Sequence, residues 1–129
     1  MKKKNSVPYP FVLDLLSRLD FRIKPMFGCH AIYVGEKIMI ILRKKEDHED
    51  CNGIWIATDK EFHKSLKKEF PSMKSISILS NGKSETNWQM IPYDDDNFES
   101  SATLLCEFIL KKDLRVGRIP KARKKKSEK

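Results

Sequence analysis

Residues 38–42 read IMIIL, and this run constrains the fold more than any other stretch of the chain. A strand that exposes one face to water alternates apolar and polar residues, so a run without polar residues is typical of a strand buried on both faces. It is too short to span a membrane and has charged residues on both sides. We therefore place it at the centre of an antiparallel sheet.

The residues before this run predict its neighbours. Pro25 lacks a backbone donor, so Phe21–Met26 is predicted to be either an edge strand or a strand that ends there. Gly28 follows an apolar stretch and is expected to have a positive φ or to allow close backbone packing. Residues 31–34 form the next predicted strand. Gly35-Glu36 then suits a two-residue type II′ hairpin turn leading into residues 38–42.

Two helices are predicted around these strands. Residues 10–19 begin with a proline and carry apolar side chains along one helical face, at positions 11, 12, 15, 16 and 19. After a charged loop at residues 43–53 and a strand at residues 54–57, Thr58 and Glu61 have the spacing of a capping box. They are expected to open a second helix that ends before Pro71.

The remaining elements complete an α+β pattern. Ile76, Ile78 and Leu79 predict a strand, Asn81-Gly82 a hairpin turn, and residues 86–91 the return strand. Asp94, Asp95 and Asp96 are expected to favour the start of a last helix through capping and the helix dipole. The predicted order is α-β-β-β-β-α-β-β-α, a two-layer fold with helices on an antiparallel sheet of about five to six strands.

Charge divides the chain into three parts. Residues 114–129 hold eight Lys/Arg and one Glu, and Lys2, Lys3 and Lys4 form a second basic end. Residues 5–113 hold 15 basic and 17 acidic residues, so the predicted fold is slightly acidic although the whole chain carries +8. We expect a basic tail at residues 1–8, one domain at residues 9–113, and a disordered basic tail at residues 114–129.

The cysteines indicate a reducing compartment. The chain has three, an odd number, at widely spaced positions 29, 51 and 106, which is not the pattern of a disulfide framework. No apolar segment follows the basic start, so no signal peptide is expected. The expectation is a cytoplasmic protein.

Several groups of residues are of types that could form a chemical site. Cys29-His30 with His48 and Cys51 offer zinc-ligand types, but adjacent residues of a strand point to opposite sides and the usual ligand spacing is missing. No residue that would orient a Cys–His nucleophile pair is identifiable. Asp94–Asp96 lack the spacing of a calcium loop. We therefore expect no catalytic residues, metal site or cofactor, and identify no small-molecule substrate.

Two features point to nucleic acid. Tyr33, Trp55 and Trp88 lie in predicted strands, where an aromatic sheet face can stack bases, although core packing is the commoner role. The C-terminal tail can contact phosphates through its basic side chains. Its candidate residues are Arg115, Arg118, Lys121, Arg123, Lys124, Lys125 and Lys126.

The chain also resembles a known family. Pro25-Met26-Phe27-Gly28, followed by Ile32-Tyr33-Val34-Gly35-Glu36-Lys37, is similar to the opening of TfoX N-terminal domains. Trp88-Gln89-Met90-Ile91-Pro92, an acidic stretch and a final helix resemble that family's last strand and helix. The resemblance covers roughly residues 9–112, with Met26, Phe27, Gly28 and Gly35 as structural motif. It implies a two-layer α+β fold like YjbR-type and secretion-chaperone domains, without known catalytic residues. Cys29-His30-Ala31 and the long charged loop depart from the family pattern.

These observations favour a small intracellular regulatory or interaction module that is not an enzyme and whose basic tails contact nucleic acid non-specifically. The alternative is a protein-binding adaptor or chaperone-like homodimer, and a third is a thiol- or metal-dependent enzyme. A basic groove on the folded part would favour nucleic acid. An exposed apolar face would favour the dimer, and convergent Cys and His side chains would favour the enzyme. No membrane contact is expected.

Overall fold

The computed structural model describes residues 7–26, 28–77 and 87–119, which form one antiparallel sheet with helices packed on one face. The strands are β1 (Phe21–Met26), β2 (Cys29–Val34), β3 (Lys37–Arg43), β4 (Gly53–Ile56), β5 (Lys74–Ser75) and β6 (Gln89–Pro92). The helices are α1 (Pro10–Leu15), α2 (His63–Glu69) and α3 (Phe98–Leu110). The α+β class and the predicted order of elements are confirmed.

The spatial order of the strands is β1-β2-β3-β4-β6-β5, with every neighbouring pair antiparallel. β1 lies at one edge, as Pro25 predicts, and its central residues are exposed. β3 occupies the middle, and only its first residue, Lys37, is partly exposed. The prediction that residues 38–42 are buried on both faces is confirmed.

The two faces of the sheet carry separate apolar clusters. One lies under the helices and joins Ile40 and Leu42 of β3 to Val12 of α1, Leu66 of α2 and Leu105 of α3. The other lies on the opposite face and includes Ala31, Tyr33, Ile41, Trp55 and Met90. The pairing of β2 with β3 shifts register after Ile32, which leaves Met39 as an extra residue. This β-bulge puts Met39 and Ile40 on the helix side together, so side chains do not simply alternate along β3.

Two turns match their predictions. Met26 pairs with Cys29 and Val34 pairs with Lys37, so both connections of the β1–β2–β3 meander are two residues long. Gly28 has φ +74° and Gly35 has φ +64°, a region that L-residues with a Cβ seldom occupy. Phe27 lies outside the described residues.

Helix boundaries show where local patterns fail. α1 ends at Leu15 rather than residue 19, and residues 16–19 form turns that lead into β1. The predicted capping box is wrong. Thr58 is buried at the end of β4 and its Oγ1 has no hydrogen-bond partner, while α2 begins only at His63, after a 3-10 turn at Lys60–Phe62. Once the sheet fixes Thr58, it lies too far from the helix to cap it.

The acidic run before α3 also differs from its predicted role. The residue that caps α3 is Asn97, which makes no capping hydrogen bond through its side chain. Asp95 instead accepts a bond from Ser72 Oγ at 2.8 Å and so ties this loop to the residues before β5. The predicted strand at residues 76–79 is displaced as well, because β5 covers only Lys74–Ser75. Ile78, Leu79 and the Asn81-Gly82 turn lie outside the described residues.

The C-terminal boundary at residue 113 is wrong. Val116 is 2% exposed and belongs to the helix-side core. The Gly117 N–H donates to Ala57 O at 2.7 Å, and Arg118 forms a β-bridge with Ile38. Residues 116–118 therefore pack against β3 and the residue that follows β4. Residues 120–129 of the predicted tail lie outside the described residues.

Gly53 is expected to be the least replaceable glycine of the sheet. Its φ is +147°, and a Cβ there would overlap Ile91 O and approach Tyr93 N to 2.9 Å, both backbone atoms of the adjoining strand and turn. Gly53→Ala should lower the free energy of unfolding by about 3 kcal/mol or more. Gly35→Ala, where nothing lies within 4 Å, should cost about 1 kcal/mol through its φ alone. Urea unfolding of both variants tests this, and equal losses would contradict it.

Two truncations test the anchoring of the C-terminal segment. Ending the chain after Asp113 removes a buried valine and several backbone hydrogen bonds, so it should cost about 3 kcal/mol of stability. Ending it after Ile119 keeps these contacts and should change stability by less than about 0.5 kcal/mol. Thermal and urea unfolding measure both. If the shorter chain were as stable as the longer one, the packing of Val116 would not matter.

Candidate functional site

Arg115 and Arg118, two predicted phosphate contacts, are held on the fold rather than in an unfolded tail. Arg115 makes paired hydrogen bonds to Asp113 at 3.0 and 2.8 Å, reaches Glu69 of α2 at 3.7 Å, and lies over the ring of Phe108. The hydrogen bonds from Arg115 hold the pKa of Asp113 below its usual range. Arg118 pairs with Asp59 at 3.1 Å. Lys121, Arg123, Lys124, Lys125 and Lys126 lie outside the described residues.

The sheet aromatics do not form a base-stacking platform. Trp55 is fully buried, donates its Nε1–H to Cys51 O, and packs edge-to-face with Trp88 at 6.4 Å between ring centroids. Tyr33 is also buried, and the cations of Arg22 and Lys24 lie over its ring at 5.7 and 5.3 Å. The stacking hypothesis is therefore wrong for Trp55 and Tyr33, and these two residues contribute to the core.

The cysteines and histidines do not converge. Cys29 belongs to the cluster away from the helices, and alternation along β2 directs His30 to the helix side. Cys51 is buried with its Sγ 3.4 Å from Ser77 Oγ. Across residues 7–26, 28–77 and 87–119, no three His, Cys, Asp or Glu side chains are placed to hold one metal ion. This arrangement gives no support to the thiol- or metal-dependent enzyme.

The described surface does carry a basic groove, which the tail-centred prediction missed. It is a shallow cleft of about 310 Å³ between α2 and the β5 edge. Its cationic lining comes from Lys64 and Lys67 of α2 and Lys74 of β5, and its other lining residues are His63, Met73, Ser75 and Gln89. Among the described residues, no carboxylate lines this groove.

Helical geometry places the α2 lysines together. Leu66 faces the core, while Lys64, Lys67 and Lys68 are exposed, with Lys64 three residues before Lys67 and four before Lys68. Like charges at such spacing destabilise a helix by roughly 0.2–0.5 kcal/mol per pair. Lys67 donates to Met73 O at 2.7 Å, which fixes its ammonium group at the groove. The cluster therefore costs stability and is held in place.

Two acidic residues near α2 are engaged elsewhere. Glu69 and Asp59, at the two ends of this region, pair with Arg115 and Arg118. Within the described part of the chain, Lys64, Lys67 and Lys74 form no ion pair. The arginines of the C-terminal segment thus neutralise the carboxylates and leave the groove lysines positively charged.

Comparison of the chain with protein-family profiles, with curated proteins and with solved structures gives no match. Among the described helices, none is long and apolar enough to cross a bilayer. The basic groove is therefore assessed from its own geometry.

The buried thiols are expected to be unreactive in the native state. Burial raises the pKa of Cys106 to about 12, and burial also raises the pKa of Cys29 against the opposing charge of Arg43. Both thiols are therefore protonated at neutral pH, and the thiolate is the reacting form. Iodoacetamide at pH 7.5, followed by mass spectrometry, should label them only as fast as the protein unfolds. Rapid labelling of Cys29 in the folded protein would reopen the thiol-enzyme alternative.

Proposed function

We propose that the chain is a non-catalytic module that binds the phosphate backbone of nucleic acid, with the α2–β5 groove as its folded contact surface. The observation that carries the proposal is the alignment of Lys64, Lys67 and Lys74 along a groove whose described lining includes no carboxylate. Residues 5–113 are slightly acidic, so this cluster reflects a local separation of charge and not a general excess. Phosphate contacts by lysine release counterions and need no base-reading geometry.

We also assign a part in binding to the C-terminal basic residues. Arg118 pairs with Asp59, directly before the turn that leads into α2, so the chain enters its basic run beside the groove. Six Lys/Arg follow Ile119. In this proposal the folded lysines set where the nucleic acid lies and the tail adds affinity, because each further phosphate contact strengthens binding at low salt.

A relation to TfoX N-terminal domains is part of the proposal. Its support is the element order and the positions of the motif residues, with Gly28 in the β1–β2 turn and Gly35 in the β2–β3 turn. Gln89–Pro92 forms the last strand before the final helix, where the resemblance expects it. We propose a cytoplasmic regulatory role on the same basis.

Charge reversal in the groove should weaken binding selectively. Fluorescence anisotropy with short DNA and RNA duplexes at several salt concentrations should give Kd values on the order of 10⁻⁴–10⁻⁶ M at physiological salt, with little sequence preference. The double variant Lys64→Glu with Lys74→Glu should raise Kd about tenfold or more. The slope of log affinity against log salt concentration (the salt slope) should become less steep by about 2. Truncation after Ile119 should also weaken binding without unfolding the domain.

The matched control is Arg18→Glu with Lys111→Glu, which makes the same change in net charge at exposed sites outside the groove. Its salt slope should stay close to that of the unmodified chain. If both double variants weaken binding equally, overall charge and not the groove drives association. If the unmodified chain shows no binding, the proposal fails and the protein-adaptor alternative takes its place.

A further inference from the structure

A second cationic cavity, of about 410 Å³, lies on the other side of the molecule beside the β1–β2 turn. Val7, Pro8 and Leu42 form its apolar wall, and Gly28 and Cys29 lie where β2 begins. His30, Lys44 and Lys45 supply its polar wall. Its volume falls within the range of roughly 300–1,000 Å³ that small-molecule sites occupy.

Buried polar groups fix the segment that bears the lysines. The Asn52 side chain bonds the backbone N–H and C=O of Lys45, both at 2.9 Å, and accepts a bond from Arg43 Nη1 at 2.7 Å. Arg43 is itself buried and also donates to His48 O at 3.0 Å. The charged loop after β3 is therefore anchored where it passes the cavity.

Lys45 is positioned against the turn glycine. A Cβ on Gly28 would come within 2.7 Å of Lys45 Nζ, so the absence of a side chain at Gly28 makes room for the ammonium group. Lys44 is the adjacent residue and also lines the cavity. The Lys45 ammonium group thus lies beside the turn, and Lys44 and His30 line the same cavity.

None of the four carboxylates of the loop is among the described residues that line this space. Asp47 pairs with Arg43 at 3.3 Å, and Asp50 accepts a hydrogen bond from Ser77 at 2.9 Å. Burial raises the pKa of the Cys29 thiol, and the nearby Asp47 carboxylate adds to this effect, so the thiol stays neutral and does not repel an anion at pH 7. The side chains that the loop contributes to the lining are therefore basic, although Asp47 lies near them.

We propose that this cavity binds the phosphate group of a small phosphomonoester, up to the size of a mononucleotide, against Lys44, Lys45 and His30. A phosphomonoester is close to a dianion at pH 7 and has several acceptor oxygens, which suits two ammonium groups better than a single carboxylate does. Val7 and Pro8, the partly exposed apolar residues of the lining, contact the body of the ligand. The site is separate from the α2–β5 groove and does not depend on it.

Calorimetric titration of the full chain at constant ionic strength tests the site with adenosine 5′-monophosphate, inorganic phosphate and adenosine as probes. Adenosine 5′-monophosphate should bind and adenosine should not. If inorganic phosphate binds as tightly as adenosine 5′-monophosphate, the site recognises the phosphate group alone. If the nucleotide binds more tightly, the apolar wall contributes to binding. Binding of adenosine as tight as that of its monophosphate, or no binding of either phosphate below about 1 mM, would overturn the proposal.

Substitutions of the cavity lysines test whether the nucleotide binds in this cavity. Lys44→Met with Lys45→Met should weaken nucleotide binding about tenfold or more, and the conservative Lys44→Arg with Lys45→Arg should retain it. The control Arg18→Met with Lys111→Met and the groove pair Lys64→Glu with Lys74→Glu should bind the nucleotide as the unmodified chain does. Loss of binding in the groove pair alone would refute the cavity as the site.

An amide NMR titration of the unmodified chain keeps the test independent of variant folding. Adenosine 5′-monophosphate should shift the signals of Gly28, Cys29 and Lys45 and leave those of Lys64 and Lys74 unchanged. Shifts confined to α2 and β5 would contradict the proposal.

Discussion

The burial of β3 on both faces is the constraint on which the rest of the structure depends. An all-apolar central strand stabilises the fold only if the sheet is covered on both sides, at roughly 25 cal/mol for each Å² of apolar surface removed from water. The helices cover one side through Val12, Leu66 and Leu105. On the other side, the strands close a second cluster around Trp55 and Met90. Val116, near the C-terminus, also packs in the helix-side cluster.

Because the centre of the sheet is buried, the charged residues lie at the periphery of the fold, where several of them form ion pairs. Arg115 and Arg118 engage the carboxylates at Asp113, Glu69 and Asp59. Exposed or half-exposed ion pairs of this kind add little stability, with a median of about 0–1 kcal/mol. Their larger effect is on the surface potential, since they engage two carboxylates, Glu69 and Asp59, that would otherwise be available to the lysines of α2. The groove is thus a consequence of how the C-terminal segment docks.

In the charged loop after β3, specific polar partners likewise hold a charged side chain, but here these groups are buried. Arg43 is one of the few buried charged residues of the described chain, and its hydrogen bonds to Asn52 and to the loop backbone replace its hydration. This network determines which side chains reach the cavity beside Gly28. The sequence of residues 43–53 is typical of a solvated loop, but part of this segment is buried next to the core.

The amino-acid sequence by itself determined the element order, the central position of β3, the edge position of β1 and the glycine turns at positions 28 and 35. These features follow from local periodicity and from backbone preferences, which act over a few residues. Tertiary structure alone decided the bulge at Met39, the loss of the Thr58 cap, the two-residue length of β5 and the docking of Val116. Both candidate sites also depend on the tertiary structure. The spacing of the α2 lysines is visible in the sequence. The arginines that pair with Glu69 and Asp59, however, lie about 50 residues away along the chain. Long-range pairing of this kind depends on which surfaces meet, and local sequence patterns do not encode it.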